Sequence, residues 1–293
     1  MESKLKIALC GGDARLLSAA ALFAQNGYAC SVWKGAPGDC GAAVRCHELR
    51  QAVEGVGAVI LPVPAFTSAG RLTCTSGERT GIDAQTLFAA LPPETKIYAG
   101  KVPELIRRIA GEYNLPLWDY AEQEEFSIRN AVPTAEAAIQ IVMNRLPVTI
   151  SGSKFVVIGY GRVGRALAQR LLALQGKVTV AARSKAARAA AESDGCRTVS
   201  VSDYLSAPLS ALVCFNTVPA PIIHDECAAG ADCRLFIDLA SAPGGFREDA
   251  RLILGDQLIT ALSLPGKYSP ETAGEIIYKT VQGLLSEKGG AAS

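Results

Sequence analysis

Val156-Val157-Ile158-Gly159-Tyr160-Gly161-Arg162-Val163-Gly164 decides the fold. A short apolar strand runs into a GxGxxG loop, the loop opens a helix over 162–175, and another strand follows over 177–182. A glycine triplet alone arises by chance, but in this strand–turn–helix–strand context each glycine has its own task. Gly159 permits the tight turn, Gly161 lets a pyrophosphate approach the backbone, and Gly164 lets the helix pack against the strand. The helix start offers unpaired N–H groups and a partial positive charge. Gly159, Tyr160, Gly161, Arg162, Val163 and Gly164 are therefore expected at the phosphates of a dinucleotide.

The next informative position is the end of the second strand. A fold selective for NAD places Asp or Glu there, to bond the ribose 2′-hydroxyl. Here the chain reads Val180-Ala181-Ala182-Arg183-Ser184-Lys185, with Arg188 beyond. A guanidinium, a hydroxyl and an ammonium suit a 2′-phosphate. Arg183, Ser184 and Lys185 therefore predict NADP as the cofactor.

Later strand ends fall on the same side of an open α/β sheet, where ligands bind. Asn216-Thr217-Val218-Pro219 follows a strand over 209–216, and Asp238-Leu239-Ala240 follows one over 235–239. Leu264-Pro265-Gly266-Lys267 is read as a loop after a strand over 258–261. Asn216 and Thr217 are candidates for the cofactor ribose, and all three loops are expected to line the nicotinamide side.

Upstream, strands alternate with helices again. Strands are expected at 4–10, 28–33, 56–61, 96–99 and 115–119, with helices at 14–26 and 103–113 and a surface loop at 67–81. A helix over 134–145 is expected to begin at Thr134, with Pro133 just outside. A last helix over 272–287 is expected to pack on the first domain, with the tail Gly289–Ser293 fraying. The fold class is thus α/β, with two Rossmann-like, doubly wound parallel-sheet domains and an inter-domain cleft. The expected divisions are an N-terminal domain over 1–131 joined by the helix 268–288, a connecting helix 132–146, and the NADP-binding domain 147–265.

Composition limits the partners. Hydrophobic residues are 49% and charged residues 19% of the 293-residue chain, a balance that fills cores and excludes general disorder. A net charge of +1 leaves no electrostatic footprint for nucleic acid or an anionic membrane. No run approaches the ~18 apolar residues of a membrane span. Nine cysteines, an odd number with no Cys-x-x-Cys pair, predict reduced thiols in a cytosol. Cys40, Cys46 and His47, and likewise His224, Cys227 and Cys233, lack zinc-site spacing, so no metal is expected.

Several segments in order carry a family resemblance: Gly11-Gly12-Asp13-Ala14-Arg15, Ile60-Leu61-Pro62-Val63, Asn130-Ala131-Val132-Pro133-Thr134-Ala135-Glu136, the glycine loop with Ala182-Arg183-Ser184, Asn216-Thr217-Val218-Pro219, Asp238-Leu239-Ala240-Ser241-Ala242-Pro243-Gly244-Gly245, and Leu264 to Gly274. With these the chain resembles the A-type subunits of dipicolinate synthase over nearly its full length. Cys10 departs from the small aliphatic residue expected there. The resemblance implies an NADP-dependent oxidation of dihydrodipicolinate (or hydroxytetrahydrodipicolinate) to dipicolinate during sporulation. It also implies a partner, the flavoprotein-like B-type subunit of dipicolinate synthase, and the mother-cell cytoplasm as the setting. A homo-oligomer is expected as well.

A dicarboxylate needs cationic or N–H-rich partners. Arg15, with Asp13 at a helix start, is the first candidate, and Thr67 and Ser68 are further ones. The alternative for Arg15 is a salt bridge to Asp13. No general base is evident, because the chain has only two histidines, His47 and His224. A D-2-hydroxyacid dehydrogenase would place a histidine beside the nicotinamide, and the loops after Asp238 and Ala261 carry none. An adenosylhomocysteine hydrolase uses NAD, against which Arg183 argues. A non-catalytic NADP(H)-binding role stays open.

Overall fold

The computed structural model describes residues 5–74 and 81–286. The chain divides into two compact units: one runs to Arg129 and takes in the chain from Ser269 onward, and the other is Asn130–Tyr268. In the first, β1 (Lys6–Cys10), β2 (Ala29–Trp33), β3 (Val44–Cys46), β4 (Ala58–Ile60), β5 (Lys96–Ala99) and β6 (Leu117–Asp119) form a parallel sheet in the order β3-β2-β1-β4-β5-β6. In the second, β7 (Lys154–Ile158), β8 (Lys177–Ala182), β9 (Arg197–Ser200), β10 (Ala211–Asn216), β11 (Cys233–Asp238) and β12 (Leu258–Thr260) form another, in the order β12-β11-β10-β7-β8-β9. Each is doubly wound. The direction of winding reverses beside the first strand of each sheet, between β1 and β4 and between β7 and β10, which is where such sheets open a crevice.

Alternation along the strands explains the layers. Phe155, Val157, Val180, Phe215 and Ile237 share one core, while Val156, Ile158, Ala181, Cys214 and Phe236 share another. Successive side chains point to opposite faces, so a continuous apolar run means a sheet covered on both sides. The first unit repeats this, with Ile7, Leu9 and Ile60 on one face and Ala8, Cys10 and Val59 on the other. Full burial of each such aliphatic or aromatic side chain contributes about 1.5–3 kcal/mol. Cys10 is wholly buried in β1 and acts there as a small apolar residue.

The last helix, Pro270–Ser286, packs against the helix Ala14–Gln25 within the first unit. Phe23 meets Tyr278 edge-on at 4.8 Å between ring centres. Gly274 lets the backbones close up, because a Cβ there would lie 2.5 Å from the Arg15 carbonyl oxygen.

Some expectations are corrected. The helix read as starting at Thr134 spans Glu124–Arg145 and carries Pro133 inside it. Thr134 does not cap it; its hydroxyl bonds back to the Asn130 carbonyl. Buried Phe126, Ala131, Ala135, Ala138 and Val142 hold this segment helical, and their packing outweighs the hydrogen bond that Pro133 removes. Leu264-Pro265-Gly266-Lys267 is not a loop but lies in the short helix Leu264–Tyr268. Strands β3 and β9 and the helices Leu49–Val53, Ala84–Ala89, Val201–Ser206 and Glu248–Leu254 were not anticipated. They are short, and β3 and β9 are half-exposed edges, so apolar periodicity is weak there. The tail Gly289–Ser293, and residues 75–80 of the loop read at 67–81, lie outside the described residues.

Candidate functional site

At the carboxyl end of β7 the three glycines do different work. Gly159 has φ +95°, a backbone region that other L-residues rarely adopt, and a Cβ there would lie 2.4 Å from Thr217 Oγ1. A Cβ on Gly164 would lie 2.3 Å from the Gly159 carbonyl oxygen, so helix and turn touch only because it is absent. Gly161 is different. Its φ is −81°, which any residue adopts, and an added Cβ would meet nothing within 4 Å. Neither backbone conformation nor packing within the protein requires glycine at 161. What remains is the need for an incoming group to reach the backbone closely, and the residues present fit a dinucleotide on this test.

Gly161 caps the helix Arg162–Ala173 without a side-chain bond of its own, so its first N–H groups keep their outward capacity. Arg162 is exposed, Val163 is half-buried and Gly164 is buried. On the inner side Thr217 fixes the turn: its backbone N–H and its hydroxyl both donate to the Ile158 carbonyl, each at 2.9 Å.

The end of β8 carries the predicted cations, and they divide into two kinds. Arg188 Nη1 donates to the Ala182 carbonyl at 2.8 Å and to the Arg183 carbonyl at 3.1 Å. Its guanidinium braces the turn. Arg183 and Lys185 are exposed, and neither side chain bonds another group among the described residues. Ser184 caps the helix Lys185–Ser193 by accepting from the Ala187 N–H at 3.0 Å.

The ends of β10 and β11 are organised by two side chains that face inward. Asn216 and Asp238 sit opposite one another in register and are wholly buried. Asn216 donates to Asp238 Oδ1 at 2.8 Å and to the Val218 carbonyl at 3.0 Å, and accepts from the Val218 N–H at 3.1 Å. Asp238 also accepts from the N–H groups of Ala240 at 3.2 Å and Gly245 at 2.9 Å. Arg251 Nη2 lies 3.4 Å from its Oδ2. These two side chains shape the crevice by holding its loops. The surfaces those loops offer are half-buried Val218, exposed Pro219, half-buried Leu239 and buried Ala240.

The matching crevice of the first unit, between β1 and β4, is built on another plan. Arg15 clasps Asp13 with Nε at 2.9 and 3.0 Å and Nη2 at 2.8 Å from the carboxylate oxygens, and Nη2 also donates to the Val63 carbonyl at 2.8 Å. Asp13 further caps its helix through the Arg15 N–H. The expected salt bridge is therefore present, leaving Nη1 of Arg15 without a hydrogen bond among the described residues. The glycines here are filled by the protein itself: a Cβ on Gly11 would lie 2.6 Å from the Thr73 carbonyl, and one on Gly12 would lie 2.8 Å from Leu16 Cβ. A self-capped helix and a filled turn leave no open backbone like that at Gly161. Thr67 and Ser68 are exposed, in a turn closed by the Gly70 N–H on the Thr67 carbonyl.

Two family models match different parts of the chain. Residues 6–121 match the family described as the N-terminal domain of the dipicolinate synthase A-type subunit. Residues 133–218 match the NAD-binding domain of D-isomer specific 2-hydroxyacid dehydrogenases. The curated A-type subunit of dipicolinate synthase from Bacillus subtilis is 29% identical over 98% of this chain and 98% of its own. The chain resembles that subunit along its whole length. The crystal structure of the Bacillus subtilis protein superposes with a TM-score of 0.84 at 28% identity, covering 98% of this chain and 97% of that one. Its Bacillus halodurans counterpart gives 0.84 at 27% identity, over 97% and 99%. A nicotinamide dinucleotide and oxidoreductase chemistry follow from the NAD-binding domain.

Beside this resemblance, the structure shows residues that sequence reasoning missed. Asp194 and Arg251 carry no motif; only the folded chain brings Asp194 to the Tyr160 hydroxyl and Arg251 to Asp238. Neither histidine is placed as a base. His224 accepts from the Cys227 N–H and caps a short helix, and His47 is exposed while its carbonyl holds the Trp33 indole. A shallow concavity of about 520 Å³ lined by Glu48, Arg50 and Leu91 lies at the amino ends of β4 and β5, at the other end of the sheet from the crevice of the first unit. Among the described residues no cluster of His, Cys, Asp or Glu could hold a metal ion, and no helix is long and apolar enough to cross a membrane.

Proposed function

We propose that the chain binds NADP(H) in its second unit and oxidises dihydrodipicolinate, or the hydroxytetrahydrodipicolinate that precedes it, to dipicolinate. The observation that carries the cofactor choice is the pair of arginines after β8. Arg188 is spent on backbone carbonyls, while the guanidinium of Arg183 is held out with no partner among the described residues. An unpaired fork beside a helix-capping serine is what a 2′-phosphate uses, and no carboxylate stands there to select a 2′-hydroxyl. Lys185 adds positive charge. Around the crevice, Gly159 to Gly164 hold the phosphates, Thr217 to Pro219 and Leu239 to Ala240 line it, and Asn216 and Asp238 position those loops.

The bound nicotinamide supplies a hydride acceptor. The hydroxytetrahydro form first loses water to give the dihydro ring, and taking a hydride and a proton from that ring leaves an aromatic pyridine, so the chain's work is binding and orientation. Arg15 anchors a substrate carboxylate through its unused Nη1, with Asp13 fixing the guanidinium and with Thr67 and Ser68 nearby in sequence to the Val63 carbonyl that Arg15 holds. The resemblance supports a flavoprotein-like partner of the B type and a place in the mother-cell cytoplasm; a homo-oligomer is proposed alongside them.

Two measurements test this. The purified chain with NADP+ and the substrate, alone and with its partner, should generate the pyridine-dicarboxylate absorbance; a partner that turns over equally well alone would make this chain a non-catalytic nucleotide-binding component. Arg183→Ala should weaken NADPH by roughly ten- to a hundredfold, the value of a charge-assisted pair, and NADH by less than about twofold. Equal losses refute the 2′-phosphate assignment.

A further inference from the structure

Tyr160 lies between Gly159 and Gly161 in the loop after β7. Its hydroxyl does not point to an open position. It donates to Asp194 Oδ2 at 2.7 Å. Asp194 is the residue that ends the helix Lys185–Ser193, and the same carboxylate takes Arg165 Nε at 2.9 Å, Arg165 Nη2 at 3.3 Å and Gln169 Nε2 at 3.3 Å. Arg165 and Gln169 belong to the helix that the glycine loop opens. One carboxylate therefore ties together the loop, the helix after it, and the far end of the helix that starts behind Arg183.

We propose that Tyr160 and Asp194 form a latch that sets the glycine loop in its binding conformation before the dinucleotide arrives. Thr217 fixes the inner side of the loop, and the latch fixes the outer side. Ordering a free residue costs backbone entropy, so a loop ordered in advance binds more tightly without any new contact to the ligand. The latch also answers an electrostatic problem. A bare carboxylate near a phosphate cradle would repel the ligand, whereas Asp194 is paired with Arg165 and hydrogen-bonded by Tyr160. Both are positioning residues. The inference rests on the dinucleotide site alone, and neither the choice of NADP over NAD nor the identity of the substrate enters it.

The test uses the full chain with Tyr160→Phe, Asp194→Asn and the double variant. NADPH and NADH are titrated by fluorescence, amide exchange of residues 159–164 is followed without nucleotide, and melting temperatures are recorded. The latch predicts that Tyr160→Phe raises Kd for both nucleotides by about three- to tenfold with their ratio unchanged, the net range of one typical hydrogen bond. Loop exchange speeds up without a matching loss in global melting, and the double variant is no weaker than the weaker single. Wild-type affinity in Tyr160→Phe overturns the proposal, as does a loss confined to NADPH or one that only follows a fall in melting temperature. Asp194→Asn misfolding leaves Tyr160→Phe to decide. A wild-type chain that binds neither nucleotide refutes the site itself, a result separate from any failure of the latch.

Discussion

Replacing Gly161 by alanine, with Gly159→Ala as its counterpart, separates a ligand's demand for glycine from the protein's own. At 161 the backbone is ordinary and the space is open. Alanine there reduces unfolded-chain entropy, worth about 0.4–1 kcal/mol in stability, and is a poorer helix cap by a similar amount. The two nearly cancel, so melting should move by less than about 2 °C. Nucleotide binding should fall by at least roughly tenfold, because the methyl group keeps phosphate oxygens from N–H donors whose charge-assisted bonds contribute about 1.5–3 kcal/mol each. Gly159→Ala reverses the pattern. Positive φ costs roughly 1–2 kcal/mol and the 2.4 Å approach to Thr217 Oγ1 adds overpacking of about 1–3 kcal/mol, so melting should drop by about 5–15 °C. Calorimetric melting and nucleotide titration of both variants read this out. A Gly161→Ala chain that is folded and binds normally would refute the placement of the pyrophosphate at this loop.

Other outcomes follow from the same geometry. Asp238→Ala should lower stability by roughly 2–4 kcal/mol in a denaturant titration, because the N–H groups of Ala240 and Gly245 lose their acceptor in a buried place and Arg251 loses its partner. Gly274→Val should destabilise the first unit, seen as a lower melting temperature, since even a Cβ would lie 2.5 Å from the Arg15 carbonyl oxygen. Burial pushes the Cys10 and Cys30 thiols up to about 12, so a thiol reagent at neutral pH should spare them in the folded chain and react first with half-exposed Cys46 and Cys74. The Tyr160 and Arg165 bonds hold Asp194 below the usual carboxylate range, so its contribution to stability is present above the unfolded value near ~4 and is lost as pH falls through the folded value. Asp194→Asn should therefore show a shallower loss of stability on acidification, followed by melting from pH 5 to pH 2.

Legibility in the sequence differed from element to element for physical reasons. β7, β8 and β10 are read within a residue or two because they are covered on both faces and leave apolar runs, broken only by Thr179 of β8. β3 and β9 sit at sheet edges, where no such pattern is imposed. Pro133 reads locally as a helix boundary, yet the helix passes through it because packing on both sides of the proline decides. Ser184 is legible as a cap and Arg183 as a cation, since each acts through its own side chain. Arg188 looks the same on paper, and only its bonds to two carbonyls show that it braces the turn.

The sequence by itself determined that a dinucleotide-type turn exists, which cations stand one strand away, and that a second α/β domain precedes it. Those are local facts: glycine spacing, strand length and side-chain charge are written along the chain. The tertiary structure decided which of two similar turns is open. Gly11-Gly12 is filled by Thr73 and Leu16, while Gly161 meets nothing. It also decided that Asn216 and Asp238 turn inward, and that Asp194 reaches Tyr160 across 34 residues. Burial and long-range hydrogen bonds belong to pairs of distant residues, and no stretch of sequence states them alone.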